Sequence, residues 1–223
     1  MSLTFSLLPQ STFIISRMTM RRFFTFSFLL ISSVLLPFKN AYSQTLLILG
    51  DSLSAGYNMP IEQSWPSLLP TQLATLNKDT TVINGSISGD TTGNGLDRLP
   101  ALLTQHSPDI VLIELGANDG LRGFPPQKIN SNLEQLIKLI NASNAQPLLM
   151  QIQVPPNYGK RYSQAFGSLY PKISEKHDIP LVPFFLEHVI IKPEWIMKDG
   201  LHPTPEAQPW IAEFMAKELS PYL

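Results

Sequence analysis

The chain has no cysteine. That absence excludes disulfides, thiolate nucleophiles and cysteine-bound zinc. Charge is also sparse, with 15% charged residues against 43% apolar, a balance that suits a folded soluble domain with a sizeable core. Acidic residues are missing altogether from residues 1–43, which carry Arg17, Arg21, Arg22 and Lys39. The remaining residues therefore hold 12 basic against 17 acidic side chains, a net charge of −5. Such a balance argues against nucleic acid, which calls for a basic face. After residue 43 there is no internal repeat and no low-complexity tract.

A run long enough to span a bilayer is lacking too. A spanning helix needs about 20 apolar residues, whereas Phe23 to Leu36 is shorter, is interrupted by Ser32-Ser33, and is followed by Pro37. The basic pair Arg21-Arg22, that apolar stretch, and the small residues of Ala41-Tyr42-Ser43 have the layout of a secretory signal peptide. Residues 1–43 are expected to be the signal peptide, with translation starting at Met1, Met18 or Met20, and no permanent membrane anchor is expected. Paired arginines also occur in twin-arginine signals, but no cofactor motif follows, so the general secretory route is the expectation. Cleavage would leave residues 44–223 as one domain in a periplasmic or secreted location.

Five short apolar runs punctuate that domain: Thr45 to Leu49, Thr80 to Ile83, Asp109 to Leu115, Pro147 to Ile152 and Ile179 to Val182. Each reads as a strand, and the segments between them carry helical spacing. Helices are expected over Glu62 to Asn77, Thr92 to Leu103, Gln127 to Asn141, Arg161 to His177 and Glu206 to Leu219. Pro70 is expected to kink or interrupt the first of these, and Pro100 to bend the second. The strands are continuous apolar runs rather than alternating ones, as in a parallel sheet covered on both faces. The expected fold is a three-layer α/β/α sandwich with a five-stranded parallel sheet in the flavodoxin-like order.

In such sheets ligands bind at the carboxyl ends of the strands, so the residues found there matter. The first strand ends in Gly50-Asp51-Ser52-Leu53-Ser54, the second leads to Gly89, the third to Gly116-Ala117-Asn118-Asp119, and the last loop holds Asp199-Gly200-Leu201-His202. Together they supply what acyl transfer needs. A serine hydroxyl becomes a nucleophile when a base takes its proton, which His202 can do for Ser52. Asp199, three residues back, can orient the ring and stabilise the imidazolium. The oxyanion needs donors: the N–H of Ser52, the N–H of Gly89 and the amide of Asn118.

Those blocks, in that order, resemble the SGNH (GDSL) hydrolases, and the whole domain is similar to the bacterial periplasmic thioesterase/protease/lysophospholipase subgroup. The resemblance implies Ser52 as nucleophile, Asp199 and His202 completing the triad, and Ser52, Gly89 and Asn118 as the oxyanion hole. It implies small-molecule acyl ester and thioester substrates, lysophospholipids among them, with no metal and no cofactor. The Gly-x-Ser-x-Gly elbow of α/β-hydrolases is missing around Ser52. Two rivals stand: a carbohydrate O-acetyl esterase on the same fold, and a periplasmic binding protein that keeps the fold without the chemistry.

Around the triad, Leu53, Asp90, Phe124 and Tyr158 are read as substrate-binding, with the 121–125 and 155–158 loops as the candidate acyl groove. For Asp90, Asp119 and Asp51, turn or cap duty is an equal reading, and Phe124 and Tyr158 could equally be core or lid packing. His106 and His177 fall near helix ends, where a charge–dipole role fits. His188 lies in an irregular stretch. Glu114, inside an apolar strand, has no evident role.

Overall fold

The computed structural model describes residues 43–223. The expected signal peptide therefore lies, but for Ser43, outside the described residues. Five parallel strands form the sheet: β1 (Gln44–Gly50), β2 (Thr80–Asn84), β3 (Ile110–Glu114), β4 (Gln146–Met150) and β5 (Leu181–Val182), in the order β2-β1-β3-β4-β5. This is the flavodoxin-like order. Leu46 to Leu49 on β1, Ile110 to Ile113 on β3 and Leu148 to Met150 on β4 are all buried, because helices cover both sheet faces.

The helices are α1 (Trp65–Thr75), α2 (Thr92–His106), α3 (Ala117–Leu121), α4 (Pro126–Ala142), α5 (Lys160–Gly167), α6 (Leu169–His177), α7 (Leu186–Val189) and α8 (Gln208–Leu219). Helix α1 packs on α8, while α2 packs on α4 and α4 on α6. The apolar stripe Ile129, Leu133, Leu136, Ile137 and Ile140 of α4 is buried in the core. No helix among the described residues is long and apolar enough to cross a membrane.

Pro70 does not interrupt its helix. Pro70 and Pro100 sit inside unbroken helices. Both are exposed, so neither ring has to be packed into the core. The helix expected over Arg161 to His177 is instead two, α5 and α6, meeting at Ser168. Pro171 has no N–H to give the Gly167 carbonyl, and Gln151 Nε2 donates to that carbonyl at 3.2 Å. The last strand is trimmed to two residues, with the Pro180 carbonyl still accepting from Leu149 N–H at 3.0 Å. Helix α3, expected as loop, is preceded by Gly116, whose φ of +123° suits glycine.

Candidate active site

Ser52 lies two residues beyond β1 in a turn tied on all sides. The Asp51 carbonyl accepts from Ser54 N–H at 3.2 Å and Ala55 N–H at 2.9 Å. Trp65 Nε1 donates to the Leu53 carbonyl at 3.1 Å and Asn84 Nδ2 to the Ser54 carbonyl at 2.8 Å. The turn is therefore anchored to α1 and to β2, so the serine has a fixed place.

The loop that follows Trp195 brings the base to it. Met197 N–H donates to the His202 carbonyl at 2.8 Å, Thr204 N–H to the Trp195 carbonyl at 2.8 Å, and Ile196 bridges Pro203. Gly200, at φ +73°, makes the reversal between them. The result is a relay with short spans: Ser52 Oγ to His202 Nε2 is 2.8 Å, and His202 Nδ1 to Asp199 Oδ2 is 2.7 Å. The other Asp199 oxygen accepts from Leu201 N–H at 2.9 Å and His202 N–H at 3.0 Å. Partial burial works to raise the Asp199 carboxyl, but those two N–H groups and the His202 ring outweigh it and hold it down at about 2. Asp199 is thus an anion at any ordinary pH, with its Oδ2 aimed at the ring.

At the same edge, the N–H groups of Ser52 and Gly89 have no acceptor among the described residues. Gly89 has φ +85°, and a Cβ there would meet nothing nearer than Arg122 Nη2 at 3.9 Å. It is the backbone angle, not crowding, that favours glycine at this position. Asn118, in the first turn of α3, donates from Nδ2 to Asp51 Oδ2 at 3.1 Å and to the Asp90 carbonyl at 3.0 Å. The five residues named from the strand ends and the last loop are therefore brought together.

They open onto a cavity of about 550 Å³ whose apolar wall is made by Leu53, Leu121, Val154, Phe184, Leu186 and Ile190. Of the four residues read as substrate-binding, Leu53 lines this cavity and the other three do not. Asp90 turns away to pair with Arg98 at 2.7 Å. Phe124 packs against the core with Lys128 Nζ 5.0 Å from its ring centre. Tyr158 is spent on a bond to the Leu121 carbonyl at 3.0 Å. The 121–125 and 155–158 loops do contribute, but through Leu121 and Pro155.

Sequence reasoning missed several neighbours. Tyr57 stacks on the His202 ring with centroids 4.1 Å apart, covering one face of the imidazole. Phe184, Leu186 and Ile190 come from the irregular stretch that also holds His188. Arg98 links Asp90 to the carbonyls of Gly85 and Gly50. His188 packs among Trp210 and Phe214, 5.8 and 5.3 Å away, and His106 and His177 close α2 and α6. Asp119 binds the N-terminus of α2 through Thr92 N–H at 2.8 Å and Thr92 Oγ1 at 2.6 Å, with burial raising its carboxyl. Among the described residues no three His, Asp or Glu side chains converge as a metal-ligand set.

The chain is similar to several known proteins. The profile of the GDSL-like Lipase/Acylhydrolase family matches residues 48–208. An arylesterase of Vibrio mimicus is 70% identical over 181 residues, 81% of this chain and 90% of the relative. The thioesterase 1/protease 1/lysophospholipase L1 of Escherichia coli K12 is 55% identical over 188 residues, covering 84% and 89%. Among solved structures, the psychrotrophic esterase EstA from Pseudoalteromonas sp., inhibited by monoethylphosphonate, superposes with a TM-score of 0.78 at 46% identity, covering 81% of this chain and 98% of that one. The chain belongs to the GDSL-like lipase/acylhydrolase family, the SGNH hydrolases.

Proposed function

We propose that this protein is a serine hydrolase that cleaves carboxylic esters and thioesters of acyl groups through an acyl-enzyme on Ser52. The observation that carries the reading is the unbroken relay from Ser52 Oγ through His202 to Asp199, beside the unpaired N–H groups of Ser52 and Gly89. His202 Nε2 takes the hydroxyl proton as Oγ attacks the carbonyl carbon. Charge then develops on the carbonyl oxygen, where the N–H groups of Ser52 and Gly89 and the Asn118 amide receive it. Asn118 already donates both amide hydrogens, so the oxyanion draws one away from the neutral Asp90 carbonyl. His202 returns the proton to the departing alcohol or thiol. Water repeats the sequence on the acyl-enzyme and releases the acid.

The apolar wall and the 550 Å³ volume favour an acyl chain over a bare acetyl group, since the size is that of a small-molecule pocket. Lysophospholipids fit the same description: an acyl chain in the groove and a polar leaving group toward solvent. Residues 1–43 serve as the export signal in this reading, and residues 44–223 work outside the cytoplasm. The test is hydrolysis of aryl esters and acyl thioesters from two to sixteen carbons by residues 44–223. Rates should rise beyond acetyl, and Ser52→Ala should lower turnover roughly 10⁴–10⁶-fold. A preference for acetylated carbohydrate would support the O-acetyl esterase instead, and full activity in Ser52→Ala would sink the mechanism.

A further inference from the structure

Glu114 is the last residue of β3, directly across from Gly50 of β1 in the parallel register. Its side chain is 0% exposed. Oε2 accepts from Ser54 Oγ–H at 2.7 Å and from Asp51 N–H at 3.3 Å, whereas Oε1 has no partner among the described residues. Ser86 Oγ, likewise without one, borders the same space. That space exists because residue 50 is glycine. A Cβ there would fall 2.6 Å from Glu114 Oε2 and 2.8 Å from Ser86 Oγ.

The adjoining carboxyl, Asp51, is also 0% exposed. Oδ1 accepts from Leu53 N–H at 3.0 Å and Oδ2 from Asn118 Nδ2 at 3.1 Å. Two carboxylates this close and this buried do not both ionise without a cation between them. The guanidinium of Arg98 is taken by Asp90 and the carbonyls of Gly85 and Gly50. One proton must therefore stay in the pair. Asp51 receives an N–H on each of its two oxygens, which favours its anion over that of Glu114, whose buried Oε1 accepts no hydrogen bond. Burial and the neighbouring Asp51 charge both push the Glu114 carboxyl well above the ordinary range.

We propose that Glu114, buried as a neutral acid beneath Gly50, is a positioning residue that holds the Asp51–Ser54 turn and, through Asp51, the amide of Asn118. The inference rests on the reading of Ser52 as nucleophile. Its consequence is local. Ser52 stands between two residues whose N–H groups are both held: Asp51 N–H by Glu114, and Leu53 N–H by the Asp51 carboxylate. The flanking amides are anchored and the middle one is left for the oxyanion. Asp51 Oδ2 meanwhile sets the plane of the Asn118 amide, so two of the three oxyanion donors depend on this pair.

The test compares Glu114→Ala, Glu114→Gln and Ser54→Ala with the parent on a short aryl ester, which barely enters the groove. Displacing catalytic groups by about an ångström costs on the order of 10²-fold. Glu114→Ala should therefore lower kcat by about 10²-fold with KM within about threefold. Glu114→Gln keeps a neutral acceptor at Oε2 and should recover all but about tenfold of the loss. Ser54→Ala, which removes one of the two bonds to Oε2, should lower kcat about tenfold. A folded Glu114→Ala enzyme with parental kcat, or a Gln variant as impaired as Ala, would overturn the proposal. If Glu114→Ala fails to fold, parental kcat in Ser54→Ala overturns it. Ser52→Ala in the same assay separates the two claims: residual turnover there defeats the nucleophile, whatever Glu114 does.

Discussion

Substituting Gly116 by alanine joins backbone strain, packing and the site in one perturbation. Gly116 has φ +123° and precedes α3, which carries Asn118. An L-residue there carries about 1–2 kcal/mol of strain. Its Cβ would also overlap the Tyr170 hydroxyl and reach within 3.3 Å of Tyr170 Cζ. That phenol is fully buried and donates to the Leu115 carbonyl at 3.0 Å. Driving it off leaves a buried hydroxyl and carbonyl without partners, about 1–3 kcal/mol, and overpacking against the Tyr170 ring adds about 1–3 kcal/mol more. The total is about 3–8 kcal/mol. With a urea m-value of about 2–3 kcal/mol/M for a chain of this size, the unfolding midpoint should fall by about 1–4 M. Gly123→Ala is the control: its φ is +68°, but a Cβ there meets nothing within 4 Å, so strain alone, about 1–2 kcal/mol, remains. Equilibrium urea unfolding of both variants decides it. A difference between them under about 1 kcal/mol would refute the claim that Tyr170 closes the space beside Gly116.

Other outcomes follow from the same geometry. Asn118→Ala removes one oxyanion donor and should cost about 10²–10³-fold in kcat on any acyl chain length. Asp199→Asn keeps the shape of the loop but loses the anion at Nδ1, and should lower kcat by about 10⁴-fold in steady-state assays. Burial lifts Asp51 to about 7 and Glu114 well above its ordinary range. Below the unfolded carboxylate pKa of about 4, both states hold their protons; as pH rises from there the unfolded state loses both, whereas the native state keeps the Asp51 proton to about 7 and the Glu114 proton beyond that, so stability falls. In urea unfolding at pH 4.5, 6 and 7.5, Glu114→Gln should show a shallower fall than the parent; an identical slope would mean that the pair is not the cause.

What the sequence carried was whatever depends on strand ends. Continuous apolar runs imply a parallel sheet, and a parallel sheet gathers its strand ends at one edge, so Ser52, Gly89, Asn118, Asp199 and His202 could be grouped before any coordinates. Side-chain direction could not be read the same way. Phe124 and Tyr158 lie in the right loops, yet they spend themselves on packing and on the Leu121 carbonyl, while Leu121 and Pro155 face the cavity. Glu114 was visible as an oddity in β3; its meaning needed the register that sets it against Gly50. The stacking of Tyr57 on His202 joins residues far apart in the chain, and nothing local announces it. Helix α3 was hidden because five residues, one of them glycine, give no period to detect. Pro70 leaves its helix unbroken on an exposed face, whereas the break at Ser168 ahead of Pro171 falls where the sequence pattern runs on.

The central claim is that Ser52 carries the acyl group. It is tested most directly by mixing the protein with an excess of an aryl ester, quenching in acid within the first turnovers, and mapping the mass increment by peptide mass spectrometry. The account predicts one acyl unit on the peptide containing Gly50 to Ser54, localised to Ser52, and none in His202→Ala. An acyl group on any other side chain, or turnover with no covalent species under conditions where acylation outpaces hydrolysis, would contradict it.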